Sequence, residues 1–211
     1  MRICITSDLH GILPIIPQCD LFLLVGDICP TADHDPFYQA NWLNTVFKDW
    51  INSVQAEKKA MVWGNHDIVA ERHPDLIEPF DCDILNCSST EYRGIKIWGS
   101  PFSLPYGRSW AFMHDEKYLE MAYESIPNDT DIILNHGPPF GHGDFTNNDK
   151  KHSGSKSFLA AIDKIKPSLV FYGHIHEGYG HIVRSDIRLI NCSRMNYAYQ
   201  PVNPIVELHI V

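Results

Sequence analysis

Carboxylates, a carboxamide and imidazoles recur at one kind of place in this sequence, the end of an apolar run. "ICITSDLHG" closes on Asp8 and His10, and "LFLLVGD" on Asp27. "AMVWGNHD" closes on Asn65, His66 and Asp67, "IILNHGPP" on His136, and "LVFYGHIH" on His174 and His176. Each alone has an ordinary reading, since Asp and Asn favour turns and Gly26, Gly64 and Gly173 punctuate strand ends. Coincidence does not account for the whole set. Oxygen and imidazole donors without thiolates suit manganese, iron, nickel or zinc, and suit magnesium less well. The donors are numerous enough for two divalent ions. Two cations held about 3.5–4 Å apart need a carboxylate between them, and Asp27, the lone acid at its strand end, is the natural bridge. Such a pair polarises phosphoryl oxygens and turns a bridging water into hydroxide near neutral pH.

Bringing these donors together requires a sheet whose strands end at one edge. Apolar strand-like runs fall at 2–7, 21–26, 59–64, 96–100, 131–135, 168–173, 187–193 and 205–211. Several are continuous rather than alternating, the pattern of strands covered on both faces. Between them, Leu43, Phe47, Trp50 and Val54 form one apolar face of a helix over 40–56. Phe158, Leu159, Ile162 and Ile165 do the same over 155–166, where Pro167 stops the helix. A third helix is expected over 116–126. The alternation gives an α/β protein. In such sheets ligands bind at the carboxyl ends of the strands, where these donors stand.

The 211 residues suffice for one domain, spanning 1–211, with a sizeable core. The six cysteines show no C-x-x-C pair, which excludes zinc-finger spacing and points away from a disulfide framework. A formal net charge of -9 argues against a binder of long nucleic acid. Small phosphate esters remain compatible, because bound metal supplies positive charge locally. No run approaches the roughly 18 apolar residues of a membrane span. The start "MRICITSDLHG" does not read as a signal peptide, so a cytoplasmic protein without membrane partners is expected. Oligomeric state is open.

The ordered blocks "DLH" (8–10), "GD" (26–27), "GNHD" (64–67), "NHGPP" (135–139) and "GHIH" (173–176) resemble the calcineurin-like metallophosphoesterase superfamily. The resemblance implies an αββα sandwich, two packed mixed β-sheets flanked by helices, with the metals at one edge. It implies that Asp8, His10, Asp27 and His176 bind one metal, and Asp27, Asn65, His136 and His174 the other. It implies that His66 stands beside the metals, stabilising developing charge or protonating the leaving oxygen. Asp67 would then orient His66 by a hydrogen bond. "WGSPF", "WAF", "HGPPFGHGD", "HIHEGYG", "INCS" and "QPVNP" are similar to the metallophosphoesterase-domain-containing (MPPED) branch. That branch is associated with phosphodiesterase activity, including cyclic nucleotides. Some of its members carry Gly at the position of His174, so a chain that keeps this histidine should have both metal sites.

The loop 99–110 and the segment 137–155 are placed to contact a substrate. Arg108, Trp110, His152 and Tyr179 are candidates, each with a bland alternative as a solvated or packed surface residue. Ser153 or Ser155 would cap the following helix, whose N-terminus could receive a phosphate. The expected activity is hydrolysis of small phosphodiesters, 2′,3′-cyclic nucleotides first, with manganese the favoured metal. A phosphomonoesterase acting on nucleotides or phosphoproteins is the alternative. A non-catalytic scaffold is the alternative from another class.

Overall fold

The computed structural model describes residues 1–107 and 109–210, so Arg108 lies outside the described residues. In chain order the strands are β1 (Arg2–Thr6), β2 (Cys19–Val25), β3 (Ala56–Val62), β4 (Asp83–Ile84), β5 (Ser88–Tyr92), β6 (Ile95–Ser100) and β7 (Ile132–Asn135). There follow β8 (Phe145–Thr146), β9 (Lys151–His152), β10 (Leu169–Tyr172), β11 (Gly180–Arg184), β12 (Ile187–Asn191) and β13 (Val206–His209). The helices are α1 (Pro36–Trp42), α2 (Lys48–Ser53), α3 (Ile68–Arg72), α4 (Glu116–Tyr123) and α5 (Lys156–Ile165). A π-helical turn, Leu43–Phe47, joins α1 to α2.

One sheet has the order β13-β1-β2-β3-β4 and the other β11-β12-β10-β7-β6-β5. Each is mixed: β1 to β4 run parallel with β13 antiparallel at the edge. In the second sheet β6, β7, β10 and β12 run parallel, and β5 and β11 are the antiparallel edges. The period-2 geometry of a strand sends alternate side chains to opposite faces. Ile3, Ile5, Leu21, Leu23 and Val25 meet Ile97, Ile132, Leu134 and Phe171 in the layer between the sheets. On the outer faces, Phe22 packs against Trp50, and Trp98 against Tyr123, which in turn meets Phe158. Because both faces are covered, the strands read as continuous apolar runs, as expected.

The first helical stretch begins earlier than 40 and ends earlier than 56. Asp35 caps it by accepting from the Phe37 and Tyr38 amides, Pro36 takes the first position, and β3 claims the chain from Ala56. Ser155 caps α5 through the Phe158 amide, and Lys166 closes it with φ 58° ahead of Pro167. The expected phosphate at that N-terminus is corrected. The Glu116 carboxylate already accepts from the Lys156 and Ser157 amides and the Ser155 hydroxyl.

Candidate metal centre

β1, β2 and β3 of one sheet and β7 and β10 of the other end side by side. Backbone bonds join the ends: Asp8 N donates to Gly26 O at 2.9 Å, and Gly173 N to His136 O at 3.0 Å. Between the sheets, Arg194 N donates to Ser7 O at 2.9 Å. Immediately past the strands the chain turns sharply. Asp8, His10, Asp27 and His174 adopt φ of 56°, 45°, 53° and 65°. The left-handed region costs a non-glycine residue about 1–2 kcal/mol. Such strain concentrates where function requires it. The flanking glycines permit close approach rather than merely turning. A Cβ on Gly26 would stand 2.5 Å from His136 Nδ1, and one on Gly64 or Gly173 would collide with the Asp27 or Asp8 carboxylate.

Two donor clusters result. In one, His10 Nε2 and His176 Nε2 lie 3.3 Å apart, with Asp8 Oδ1 3.4 Å from His176 Nε2. In the other, Asn65 Oδ1 lies 3.0 Å from His136 Nε2 and 2.6 Å from His174 Nδ1. Asp27 stands between them, with Oδ1 3.4 Å from His136 Nε2 and Oδ2 3.8 Å from His10 Nε2. The groups Asp8–His10–His176 and Asp27–His136–His174 each bring their donor atoms within 4.8 Å of one another. His10, Asp27 and His66 form a third such group, so distance alone does not exclude His66 as a ligand.

The chemistry of the donor set fits divalent cations. His136 Nδ1 faces Val25 O at 2.9 Å and His176 Nδ1 faces Asn196 O at 3.2 Å, which leaves each Nε2 to present a lone pair inward. Burial pushes His10 and His174 down to about 3, so both rings are neutral. Burial would raise Asp8 and Asp27. The hydrogen bond and charge of His176 instead hold Asp8 at about 2, and the charges of His136 and His66 keep Asp27 well below its usual range. Burial opposes protonation of His136, yet the charge of Asp27 lifts it to about 9. Buried carboxylates drawing protons onto neighbouring imidazoles are what a cation would replace.

His66 lines the same centre. Its amide donates to Asp27 Oδ1 at 2.7 Å, and its ring packs 4.7 Å from His10 and 4.2 Å from Trp110. Buried Gln39 clamps the local backbone, donating to His66 O and accepting from Val69 N. The expected role of Asp67 is corrected. Its buried carboxylate accepts from the amides of Ile28 at 2.9 Å, Cys29 at 2.8 Å and Gly64 at 2.8 Å. It therefore ties the turn after β2 to the turn after β3 and makes no bond to the His66 ring. Two neighbours escaped the sequence reading. Tyr199 packs 4.9 Å from both His10 and His176, and His34 lies 5.4 Å from His66. Neither sits in a motif, and each arrives from a loop remote in sequence.

A cavity of about 570 Å³ opens over the donors. Tyr106, Trp110, Tyr197 and Tyr199 form aromatic walls, and Lys151 and His152 of the β8–β9 hairpin form part of the rim. The structure brings Trp110 and His152 to the site. His152 Nδ1 is held 2.7 Å from the buried Asp144 carboxylate. Tyr179 is not brought there: its hydroxyl donates to Pro204 O at 3.2 Å, and it borders a separate groove beside Arg188 and Glu207.

The family model for calcineurin-like phosphoesterases matches residues 1–178. The chain belongs to that family. Its matched span takes in every donor from Asp8 to His176 and ends before Tyr199. The human "Metallophosphoesterase domain-containing protein 1" is 28% identical over 191 residues, covering 78% of this chain and 58% of the relative. The chain thus spans less than two thirds of that relative's length. A UPF0046 protein of Caenorhabditis elegans is 27% identical over 228 residues, covering 95% of this chain and 78% of its own. These relatives bear out the narrower resemblance. One solved structure aligns with a TM-score of 0.68 at 17% identity, over 90% of this chain and 89% of the other. The phosphopantetheinyl hydrolase of Mycobacterium tuberculosis aligns with a TM-score of 0.53 at 14% identity, over 93% and 89%. Both show the sandwich fold. No helix among the described residues is long and apolar enough to cross a membrane.

Proposed function

We propose that this phosphoesterase is a dinuclear metal-dependent hydrolase of small phosphodiesters, acting in the cytoplasm, with cyclic nucleotides of the 2′,3′ type as first candidates. The observation that carries the reading is a pair of donor clusters sharing Asp27 at the floor of an aromatic-walled cavity. Asp8, His10, Asp27 and His176 would hold one divalent ion, and Asp27, Asn65, His136 and His174 the other, with manganese favoured. When bound, the ions supply Lewis acidity toward the phosphoryl oxygens and an activated water. The protein's own part is positioning and proton transfer. The left-handed turns at Asp8, His10, Asp27 and His174 aim the donors inward. Tyr199 and Trp110 wall the centre on its open side, and His66 lines the cavity beside them. His66 Nε2 gives a proton to the departing oxygen.

The preference for diesters rests on the walls. A monoester dianion carries an extra charge that protein cations could bind, whereas a diester brings a second substituent that needs surface. Among the described lining residues Lys151 is the one lysine or arginine, and it pairs with Asp149 at 3.4 Å. Tyr106, Trp110 and Tyr197 offer faces on which a base or aryl group can stack. His152, fixed by Asp144, presents Nε2 to the polar edge of that substituent. The test is kcat/KM with manganese for a bis-aryl phosphate, 2′,3′-cyclic nucleotides and an aryl monophosphate. Both diester types should exceed the monoester. Faster monoesters across manganese, nickel and magnesium would replace this reading with a phosphomonoesterase. Metal-loaded protein that turns over none of them would favour the scaffold.

A further inference from the structure

His66 has one ring nitrogen that the site leaves unexplained. Its Nδ1 is buried without a hydrogen-bond partner. Buried polar atoms in folded proteins are nearly always paired, so an orphan calls for a partner. The neighbouring groups are already engaged. Asp67 serves the amides of Ile28, Cys29 and Gly64, and the Gln39 amide group serves His66 O and Val69 N. Two neighbouring rings have such a vacancy: His10 Nδ1, 4.7 Å away ring to ring but on an imidazole whose Nε2 already faces the donor cluster, and a nitrogen of His34, which has no part in that cluster. That nitrogen, His34 Nε2, is buried without a partner, and the rings of His34 and His66 lie 5.4 Å apart at 51°. The two nitrogens make no direct bond, and rings at that separation can be joined by one shared water.

The surroundings hold both rings in place. Trp110 meets His34 edge-on at 5.0 Å and covers His66 at 4.2 Å. His34 directly precedes Asp35, whose carboxylate caps α1, and the Asp35 amide is itself held by Asp33. The imidazole is therefore carried by a segment anchored to a helix.

We infer that His34 is the positioning residue of His66, its Nε2 linked to His66 Nδ1–H through one shared water. This assigns to His34 the orienting task that the family resemblance implied for Asp67. Keeping the proton of Nδ1 on that atom fixes the tautomer. It leaves Nε2, the ring nitrogen on the cavity side, to exchange a proton with the substrate oxygen. Nε2 first takes up a proton from water to give the imidazolium and then passes that proton to the departing alcohol, which returns the ring to the neutral form whose Nδ1–H stays linked to His34.

The inference rests on His66 as proton donor, and the test separates the two ideas. His34→Phe, His34→Gln, His66→Ala and the double variant His34→Phe/His66→Ala are compared as manganese-loaded proteins. Substrates are an alkyl diester with a poor leaving group and a bis-aryl diester with a good one. His34→Phe should lower kcat for the alkyl ester roughly 10–100-fold, as loss of a ring's orienting partner does, with KM and metal content unchanged. The aryl ester should be much less affected. His34→Gln, which restores an acceptor, should recover most of the loss. His34→Phe should add nothing once His66 is alanine. Nitrogen NMR of the zinc-loaded protein should find the His66 proton on Nδ1 in the wild type and shifted toward Nε2 in His34→Phe. Losses that multiply in the double variant, or a His66 tautomer indifferent to His34, would overturn the inference. If His66→Ala alone leaves kcat intact, the proton-donor reading fails, and the tautomer measurement still decides whether His34 holds His66. If His34→Phe does not fold, the wild-type tautomer and the His34→Gln kinetics decide.

Discussion

Replacing Asp67 by alanine should damage the fold before it damages the chemistry. The carboxylate is fully buried and accepts three backbone amides, from Ile28 and Cys29 after β2 and from Gly64 after β3. Alanine leaves those N–H groups enclosed without acceptors, at about 1–3 kcal/mol each. The losses share one site and do not simply add. Part is offset because burial and the charge of nearby Asp27 already disfavour the ionised carboxylate, raising Asp67 to about 6. A net loss of roughly 3–6 kcal/mol follows, a large share of the ~5–15 kcal/mol stability of a typical domain. The assay is urea unfolding of chelator-stripped protein, which removes the contribution of bound metal. With a slope of about 1–3 kcal/mol per molar urea, the midpoint should fall by roughly 1 M or more. Asp67→Asn keeps one acceptor oxygen and should recover a large part. An Asp67→Ala protein with an unchanged midpoint and a kcat as low as that of His66→Ala would refute this. It would return Asp67 to an orienting role.

Glu116→Gln should weaken the junction of α4 and α5. Burial would raise the Glu116 pKa, but the Lys156 amide, Ser157 and the Ser155 hydroxyl lower it below 4.5. A depressed carboxylate stabilises above its unfolded pKa. The difference between wild type and variant, about 1 kcal/mol for a partly exposed group, should be full above about pH 5. It should vanish as pH falls through the lowered folded pKa, as thermal melts across that range would record. Asp144→Asn should loosen His152, whose Nδ1 lies 2.7 Å from the carboxylate. KM for nucleotide diesters should rise roughly 10-fold, with kcat for bis-aryl phosphate unchanged. Equal losses on both substrates would place the effect in hairpin stability instead, since Asp144 also accepts from Gly141 and Gly154.

The donor set was legible because each member directly follows a buried strand, and a parallel sheet delivers such positions to one edge. The covering of both sheets was legible in runs such as "LFLLVG", which only a two-faced interior tolerates. Edge strands other than β13 were not. β5, "SSTEY", is largely exposed, and β11, "GHIVR", shows little of the buried pattern. The start of α1 carried a signal in the pair Asp35–Pro36, a cap followed by a first-turn proline, that the apolar face alone does not reveal. Asp67 misled because the family resemblance implied a hydrogen bond to His66. The left-handed or irregular turns after the strands instead send the carboxylate to backbone amides on two loops. His34 and Tyr199 were invisible for a related reason. Their neighbours come from loops whose packing no local pattern records.

The central claim is a two-metal centre bridged by Asp27, and the most direct measurement is the number of divalent ions per chain in the wild type and in Asp27→Ala. Each protein is saturated with manganese, freed of unbound metal and analysed for its elemental content beside a folding check. The account predicts two ions per chain in the wild type. It predicts fewer than one in the folded variant, because each cluster loses a ligand and the charge between the ions is gone. A wild type that binds one ion, or a folded Asp27→Ala that retains two, would contradict it.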